Sequence, residues 1–156
     1  MSRENREIRR AIAAKLLSVA GIGNVFEYER AAANEKAFRE LYATDENLLG
    51  WHIRRVGRKE DAVNAEVLTD WEIRGFKAIQ DAVASELAFD DLIDDILDAF
   101  RADPTLGKVL LYPRDKSNSI PDLADSGPVM FCGVLCHAAK LKFTTRTAEL
   151  SVKPWD

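Results

Sequence analysis

The most regular pattern of hydrophobic and polar positions in the chain lies between Ser85 and Asp103. At about 100° per residue, its large apolar side chains fall along one stripe and its aspartates fall on the opposite side. This periodicity predicts an amphipathic helix with one apolar face and one acidic face. Ser85 is its predicted N-cap, and Pro104 lies beyond its end. The stripe comprises Phe89, Leu92, Ile93, Ile96 and Phe100, and the acidic side comprises Asp90, Asp91, Asp94, Asp95 and Asp98.

The rest of the chain alternates between segments of helical period and segments of strand period. A first helix is predicted over 2–20, and Gly21 follows it as a terminator. Alternation predicts two strands over 50–56 and 65–75, which form a hairpin with an extended tip because the polar segment 57–64 is too long for a tight turn. The other predicted elements are a strand over 23–28, a helix over 34–42, a strand over 107–112, a loop over 113–128, and a β-prone run over 129–145 with a bulge or kink at Gly133.

Strands linked by hairpins, with helices between the groups of strands, are typical of the α+β class. We therefore expect a mostly antiparallel or mixed sheet with two main helices packed on one face, plus an extended β-hairpin. A chain of 156 residues is long enough to form one domain with its own core. That single domain is expected over 1–150, and a C-terminal tail is expected over 151–156.

The composition narrows the classes of function. A formal net charge of −4 argues against general nucleic-acid binding, so sequence-specific nucleic acid is not expected as a partner. No apolar run approaches the roughly 20 residues that a membrane-spanning helix needs, and the N-terminus lacks the apolar region of a secretory signal. We therefore expect no membrane partner, and a protein that acts in the cytoplasm or in a particle assembled there.

Few residues in the chain could carry catalytic or metal chemistry. Cys132 and Cys136 lie beside a single histidine and lack a second ligand pair, so both are expected to be buried free thiols. His52 and His137 fall within predicted strands, where a lone histidine is most often structural. No nucleophile elbow, phosphate-binding loop or zinc-protease motif occurs. We predict no metal, no cofactor and no enzymatic activity; a histidine acting with a nearby carboxylate is the alternative.

Charges of opposite sign are segregated along the chain. Residues 81–103 hold eight acidic residues and one basic residue, whereas the first helix and the segment 54–59 are basic. An acidic surface on one copy could therefore meet a basic surface on the next, a head-to-tail contact that closes into a ring when the rotation permits. The acidic face could instead be solvated, or dock a different basic protein. Leu17 lies among the arginines and is either simply exposed or a contact with another chain. The candidate interface residues are Leu17, Arg54, Arg58, Lys59, Asp91, Asp94 and Asp98.

The order of several segments, and the pattern of residues within them, resemble those of a known protein family. The segments are the first helix ending in AGIGNVFEYER, the strand GWHIRRV, TDWEIRGFKAI leading to SELAFDDLIDDILDAF, then GKVLLY and the closing GVLCHAAKLKFTTRT. Together they cover residues 3–147 and resemble tail terminator (tail completion) proteins of long-tailed bacteriophages and prophages. The resemblance lies in the order of the segments, and it transfers no individual functional residue to this chain.

The resemblance implies a non-enzymatic α+β subunit that assembles as a homo-hexameric ring. Such a ring lies on the head-proximal end of the tail tube, stops polymerisation of the tail tube protein, and presents a surface to the neck or head-completion protein. The implied location is the virion tail, assembled in the host cytoplasm. The alternative reading is a small cytoplasmic binding or adaptor module that docks a basic partner through its acidic helix.

Overall fold

The computed structural model describes residues 3–30, 34–44, 47–79, 84–112 and 120–148. The expected tail, 151–156, lies outside these ranges. The helices are α1 (Arg3–Leu17), α2 (Glu35–Tyr42) and α3 (Ser85–Ala102). The strands are β1 (Asn24–Phe26), β2 (Ala43–Thr44), β3 (Asn47–Asp61), β4 (Glu66–Ala78), β5 (Asp122–Phe131) and β6 (Val134–Ala148).

Five of the strands form a mixed sheet in the order β1-β3-β4-β6-β5, and the two-residue β2 pairs with the start of β3. β1 runs parallel to β3, and the other neighbouring pairs are antiparallel. The predicted α+β class with a mixed sheet is therefore confirmed, and β3 and β4 form the predicted extended hairpin. Among the described residues, no helix is long and apolar enough to cross a membrane.

The main hydrophobic core contains residues of α1, α3 and one face of the sheet. The Phe89 ring of α3 stacks on Trp51 of β3, with ring centroids 5.7 Å apart. The buried Trp51 indole donates its N–H to the carbonyl oxygen of Ile22 at 2.8 Å, which satisfies the one polar group of that side chain. The whole predicted stripe of α3 is buried: Phe89, Leu92, Ile93, Ile96 and Phe100.

A second, smaller hydrophobic cluster lies on the opposite face of the sheet, where α2 packs. Asn34 caps α2, because its Oδ1 accepts the N–H of Ala37 at 2.9 Å. Phe38 stacks on Tyr42 with centroids 4.9 Å apart, and it also meets the Phe131 ring at the end of β5. The buried members of this cluster are Phe38, Tyr42, Leu48, Phe76, Val134 and Cys136.

The segment 57–64 was predicted to be a polar connection between the strands of the first hairpin. This prediction was wrong, because β3 continues through most of the segment, as far as Asp61. β3 pairs with β4 as far as Asp61, after a β-bulge between Arg55 and Gly57. Asp61 then closes a short turn, in which its Oδ1 accepts the N–H groups of Val63 and Asn64 at 3.0 and 3.2 Å. Polar side chains are tolerated on this strand because much of the hairpin end is exposed to solvent.

The predicted strand over 107–112 was also wrong. Gly107 and Lys108 have φ angles of 68° and 72°, which belong to a turn rather than to an extended strand. The carboxylate of Asp103 accepts the N–H of Gly107 at 3.1 Å, and the hydroxyl of Thr105 accepts that of Lys108 at 3.2 Å. These local hydrogen bonds favour a turn after α3, although the apolar residues of the segment suit a strand.

The expected loop over 113–128 is strand β5 from Asp122 onward, and the β-prone run over 129–145 is divided near Gly133 between β5 and β6. β5 and β6 are joined by Cys132 and Gly133, whose φ angles are 51° and 82°. Positive φ at both central residues is the signature of a type I′ hairpin turn. Gly133 therefore reverses the chain instead of kinking one strand.

The close packing of glycine against Trp51 gives the first testable prediction. A Cβ atom at Gly75 would overlap the six-membered ring of Trp51, whereas a Cβ atom at Gly127 would meet nothing within 4 Å. Gly75→Ala should destabilise the protein by about 1–3 kcal/mol, because the buried indole must move. Gly127→Ala is the matched control and should change the free energy of unfolding by less than about 0.5 kcal/mol. Urea unfolding of both variants checks the prediction, and equal stabilities would contradict it.

Candidate interaction surfaces

The acidic face of α3 forms one candidate surface, defined here as the acidic surface. All five of its aspartates are exposed: Asp90, Asp91, Asp94, Asp95 and Asp98. Asp98 accepts a hydrogen bond from Arg101 at 2.6 Å, and both side chains are more than half exposed. Like charges four residues apart on a helix destabilise it slightly, so an approaching cation would relieve repulsion within this surface. The predicted candidates Asp91 and Asp94 are therefore accessible to a partner.

Arginines of α1 and β3 form a second candidate surface. Arg9 anchors it, because its guanidinium lies 5.4 Å from the Trp71 ring centroid and donates to the carbonyl oxygens of Glu27 and Ile53. Burial, followed by the nearby Arg55, lowers the pKa of Arg9 from its ordinary value. Residues 6, 10, 55 and 58 are exposed. We define the basic surface as Arg6, Arg9, Arg10, Arg55 and Arg58.

The structure separates the candidate residues that were predicted on β3. Arg58 pairs with Thr69 and points to the side of the sheet that carries α1 and α3, whereas Lys59 pairs with Leu68 and points to the other side. Arg54 also points away from α1, and it forms an ion pair with Glu29 at 3.3 Å. These three cations therefore do not form one patch, and only Arg58 belongs to the basic surface.

Leu17 lies at the last position of α1 and is 61% exposed. The expected exposure of this side chain is therefore confirmed, and a contact of Leu17 with another chain stays a prediction.

A larger set of exposed apolar side chains, which was not predicted from the sequence, lies on β5 and β6. It comprises Leu123, Val129, Met130 and Leu135, which are 44%, 38%, 66% and 49% exposed.

A ladder of charges crosses the face of the sheet opposite α1 and α3. Its centre is Glu72, whose buried carboxylate lies 3.3 Å from Arg74, 3.7 Å from Lys140 and 3.9 Å from Lys142. This network was not predicted from the sequence, because the charges come from strands that are far apart in the chain. A signal was present, since residues 72, 74, 140 and 142 all occupy the polar phase of their strands.

The two histidines make hydrogen bonds to neutral side chains. His52 is buried, and its Nδ1 lies 3.1 Å from the Tyr42 hydroxyl. Burial lowers the pKa of His52 to about 4, against the smaller opposing effect of Glu29, and burial raises that of Tyr42 to about 12. His52 is therefore neutral near pH 7, and its hydrogen bond to Tyr42 does not involve a carboxylate.

His137 lies against the start of α3. Its Nε2 is 2.8 Å from the Ser85 hydroxyl, and its ring stacks on Phe89 with centroids 6.0 Å apart. The prediction that Ser85 caps α3 was wrong, because the N-cap is Ala84 and makes no side-chain cap hydrogen bond. Ser85 is only 2% exposed, so its pairing with His137 fits a structural contact better than a nucleophile open to substrate.

The predicted burial is confirmed for Cys136 but wrong for Cys132. Cys132 is part of the β5–β6 turn rather than a strand, and only Cys136 is fully buried. Neither cysteine is in a disulfide, and burial raises the pKa of Cys136 to about 11, which disfavours the reactive thiolate. Within the described part of the chain, no group of three or more His, Cys, Asp or Glu side chains could hold a metal ion.

The chain matches no protein-family model, and a comparison with curated proteins finds no similar sequence. The fold and surfaces define an α+β protein with a mixed sheet, an acidic helix face, and a basic surface shared by α1 and β3.

Proposed function

We propose that this protein is a structural subunit of a phage tail or tail-like particle, where it acts as a tail terminator. It assembles as a homo-oligomeric ring of six copies, caps the tail tube protein, and joins the tube to a neck or head-completion protein. The proposal begins with the resemblance of the ordered segments over 3–147. The observation that carries it furthest is the presence of an acidic surface and a basic surface on different elements of one α+β subunit.

The placement of the two surfaces supports a head-to-tail contact. α1 packs beside β1 and β3, whereas α3 lies across the sheet, with Phe89 between Trp51 of β3 and His137 of β6 and with Phe100 against Phe143 of β6. A subunit with cations toward one side and carboxylates toward the other can bind a copy of itself in the same orientation. Such heterologous contacts generate closed rings when the rotation is suitable.

The environments of the histidines favour a structural role over catalysis. His52 is held neutral by burial and bound to Tyr42, and His137 is bound to the buried Ser85. Neither pair supplies a carboxylate-oriented base next to an exposed nucleophile, which is the arrangement that general-base catalysis requires.

Electron microscopy and tube-capping assays test the proposal directly. The purified protein should form rings in negative-stain images, and it should stop the growth of polymers of the cognate tail tube protein in vitro. Rings that bind the ends of tube polymers support the proposal. A protein that leaves polymer length and polymer ends unchanged contradicts it.

Charge reversal on the acidic surface tests the part of α3 in assembly. Asp94→Lys should weaken assembly or tube capping at least tenfold, because it replaces an attraction to cations by repulsion. Glu40→Lys on the exposed side of α2 makes the same change of charge away from this surface and should leave assembly intact. Light scattering and the capping assay measure both variants, and equal behaviour would show that the aspartates are only solvated.

The second candidate function is an adaptor that docks a basic partner protein through the acidic surface. The exposure of all five aspartates favours it. An adaptor would remain monomeric at low and moderate salt and would not bind tube polymers. The same Asp94→Lys variant would then lose the basic partner without any change in oligomeric state.

A further inference from the structure

β5 is a long strand that is poorly protected from solvent. None of its ten residues is buried, and in the described sheet it is hydrogen-bonded only to β6. Leu123 and Met130 expose 44% and 66% of their surfaces to solvent. A long exposed edge strand with apolar side chains is a ready site for association with another chain.

The opposite edge of the sheet is also open over half of its length. β1 pairs with β3 only at 50–52. β2 pairs only with the first two residues of β3, Asn47 and Leu48. Beyond Ile53, the described strands offer β3 no partner other than β4. This part of β3 is rich in cations: Arg54, Arg55, Arg58 and Lys59.

The strand directions let these two edges meet in copies that share one orientation. β3, β4, β6 and β5 are successive antiparallel neighbours, so β5 runs opposite to β3. When two copies lie side by side in the same orientation, β5 of one copy is therefore antiparallel to β3 of the next. Antiparallel is the commoner and slightly more stable arrangement of neighbouring strands.

The β5 edge carries two exposed carboxylates, Asp122 and Asp125, which point to the same open face of the sheet as Arg54 and Lys59 of the β3 edge. With the strands level, 122–127 would lie beside 50–54, where β1 already pairs with 50–52. A second copy that is shifted along the strand direction instead brings these carboxylates beside the cations of 54–61, and cross-strand pairs of unlike charge are stabilising.

Both edges carry features that hinder pairing with arbitrary strands. β3 has a bulge between Arg55 and Gly57, and β5 has one between Leu123 and Asp125. Pro128 of β5 also lacks a backbone N–H. Indiscriminate strand addition is thus disfavoured, and the side chains of the two edges select the partner.

We infer that the β5 edge of one copy, at 122–127, docks beside the β3 edge of the next copy, at 54–61. This inference rests on the proposed ring and names the contact that builds it. The acidic β5 edge meets the basic β3 edge, and the second copy covers Leu123, which is otherwise 44% exposed. The occupant of each edge is therefore another copy of this chain.

Complementary charge swaps test the contact. The double variant Asp122→Lys/Asp125→Lys should lose assembly at least tenfold, because its β5 edge faces the cations of β3. The double variant Arg58→Glu/Lys59→Glu should lose assembly to a similar extent for the converse reason. Lys36→Glu/Lys108→Glu makes the same change of charge at exposed positions away from both edges and should assemble normally.

Mixing the two defective variants gives the decisive measurement. In an alternating ring, each reversed β5 edge faces a reversed β3 edge, and each native edge faces a native one. An equimolar mixture should therefore recover the wild-type mass in light scattering, with equal amounts of both variants in the ring. Circular dichroism checks that each variant is folded before mixing.

Hydrogen exchange on the wild-type protein supplies a measurement that needs no variant. Amides of 122–127 and 54–61 should exchange more slowly in the assembled protein than in the monomer obtained by dilution. A wild-type protein that stays monomeric, edges with unchanged exchange, or variants that assemble normally would each overturn the inference. Folded variants that fail separately and also fail as a mixture would overturn it too. Rings that form through these edges but do not cap tubes would overturn the proposed function alone.

Discussion

Replacing Phe89 by alanine should destabilise the protein by about 3–5 kcal/mol, the range expected for a fully buried phenylalanine. Phe89 is 1% exposed and packs between the rings of Trp51 and His137, with centroid distances of 5.7 and 6.0 Å. The substitution would leave a cavity between α3 and the sheet. Because the rings on either side are themselves held by hydrogen bonds, they cannot easily collapse into it.

Urea unfolding monitored by tryptophan fluorescence measures this effect. The midpoint should fall with little change in the slope, as for a loss of native-state stability. Leu87→Ala lies on the same helix but removes a side chain that is 64% exposed, so it should change stability by less than about 0.5 kcal/mol. A loss below about 1 kcal/mol for Phe89→Ala would contradict the packing of α3 described here.

Acidification should remove about 3 kcal/mol of stability through His52 alone. The pKa of His52 in the folded protein is lowered to about 4, chiefly by burial, whereas an unperturbed histidine titrates near 6.5. Between these values the unfolded chain binds a proton that the folded protein excludes. The contribution is therefore complete above pH 6.5 and is lost as the pH falls toward 4.

Comparison with His52→Gln isolates this contribution from that of the carboxylates. Glutamine cannot titrate and can still hydrogen-bond to the Tyr42 hydroxyl. The wild type should lose more stability than the variant between pH 7 and 4, by roughly 2–4 kcal/mol. His137→Gln keeps His52 and should retain its contribution. If the wild type and His52→Gln have parallel stability curves, His52 is not buried in its neutral form.

The segregation of charge also gives assembly a defined dependence on salt. Contacts between exposed carboxylates and cations weaken as the ionic strength rises, because the Debye length falls to about 8 Å near physiological salt. The apolar side chain of Leu123 would supply a part of the contact that salt does not weaken. The proposed rings should therefore form faster at low salt and persist at moderate salt.

The elements with strong local periodicity could be predicted from the sequence. The apolar stripe of α3 is buried as predicted, and the predicted helix over 34–42 is α2. The predicted strand over 50–56 lies within β3, and the predicted strand over 65–75 lies within β4 except for Ala65, which belongs to the turn. In each case the spacing of apolar residues matches the period of a helix or a strand, so the local pattern and the global fold agree.

The local hydrophobic pattern gave wrong predictions where hydrogen bonds or partner strands determine the conformation. The apolar segment 107–112 forms a turn because side chains of Asp103 and Thr105 accept its N–H groups. The breaker-rich segment 122–128 forms a strand because β6 provides a partner and an exposed edge tolerates proline and glycine. Neither outcome is visible in hydrophobic periodicity.

The candidate surfaces also divide into those that the sequence predicts and those that only the tertiary structure reveals. The sequence by itself determined the acidic face of α3, because aspartates at 90, 91, 94, 95 and 98 have the spacing that places them on one side of a helix. The β5 edge, the charge ladder around Glu72 and the separation of Arg58 from Lys59 were decided only by the tertiary structure. The physical reason is that a strand's neighbours and register come from residues far away in the chain, whereas a helix brings its own residues together.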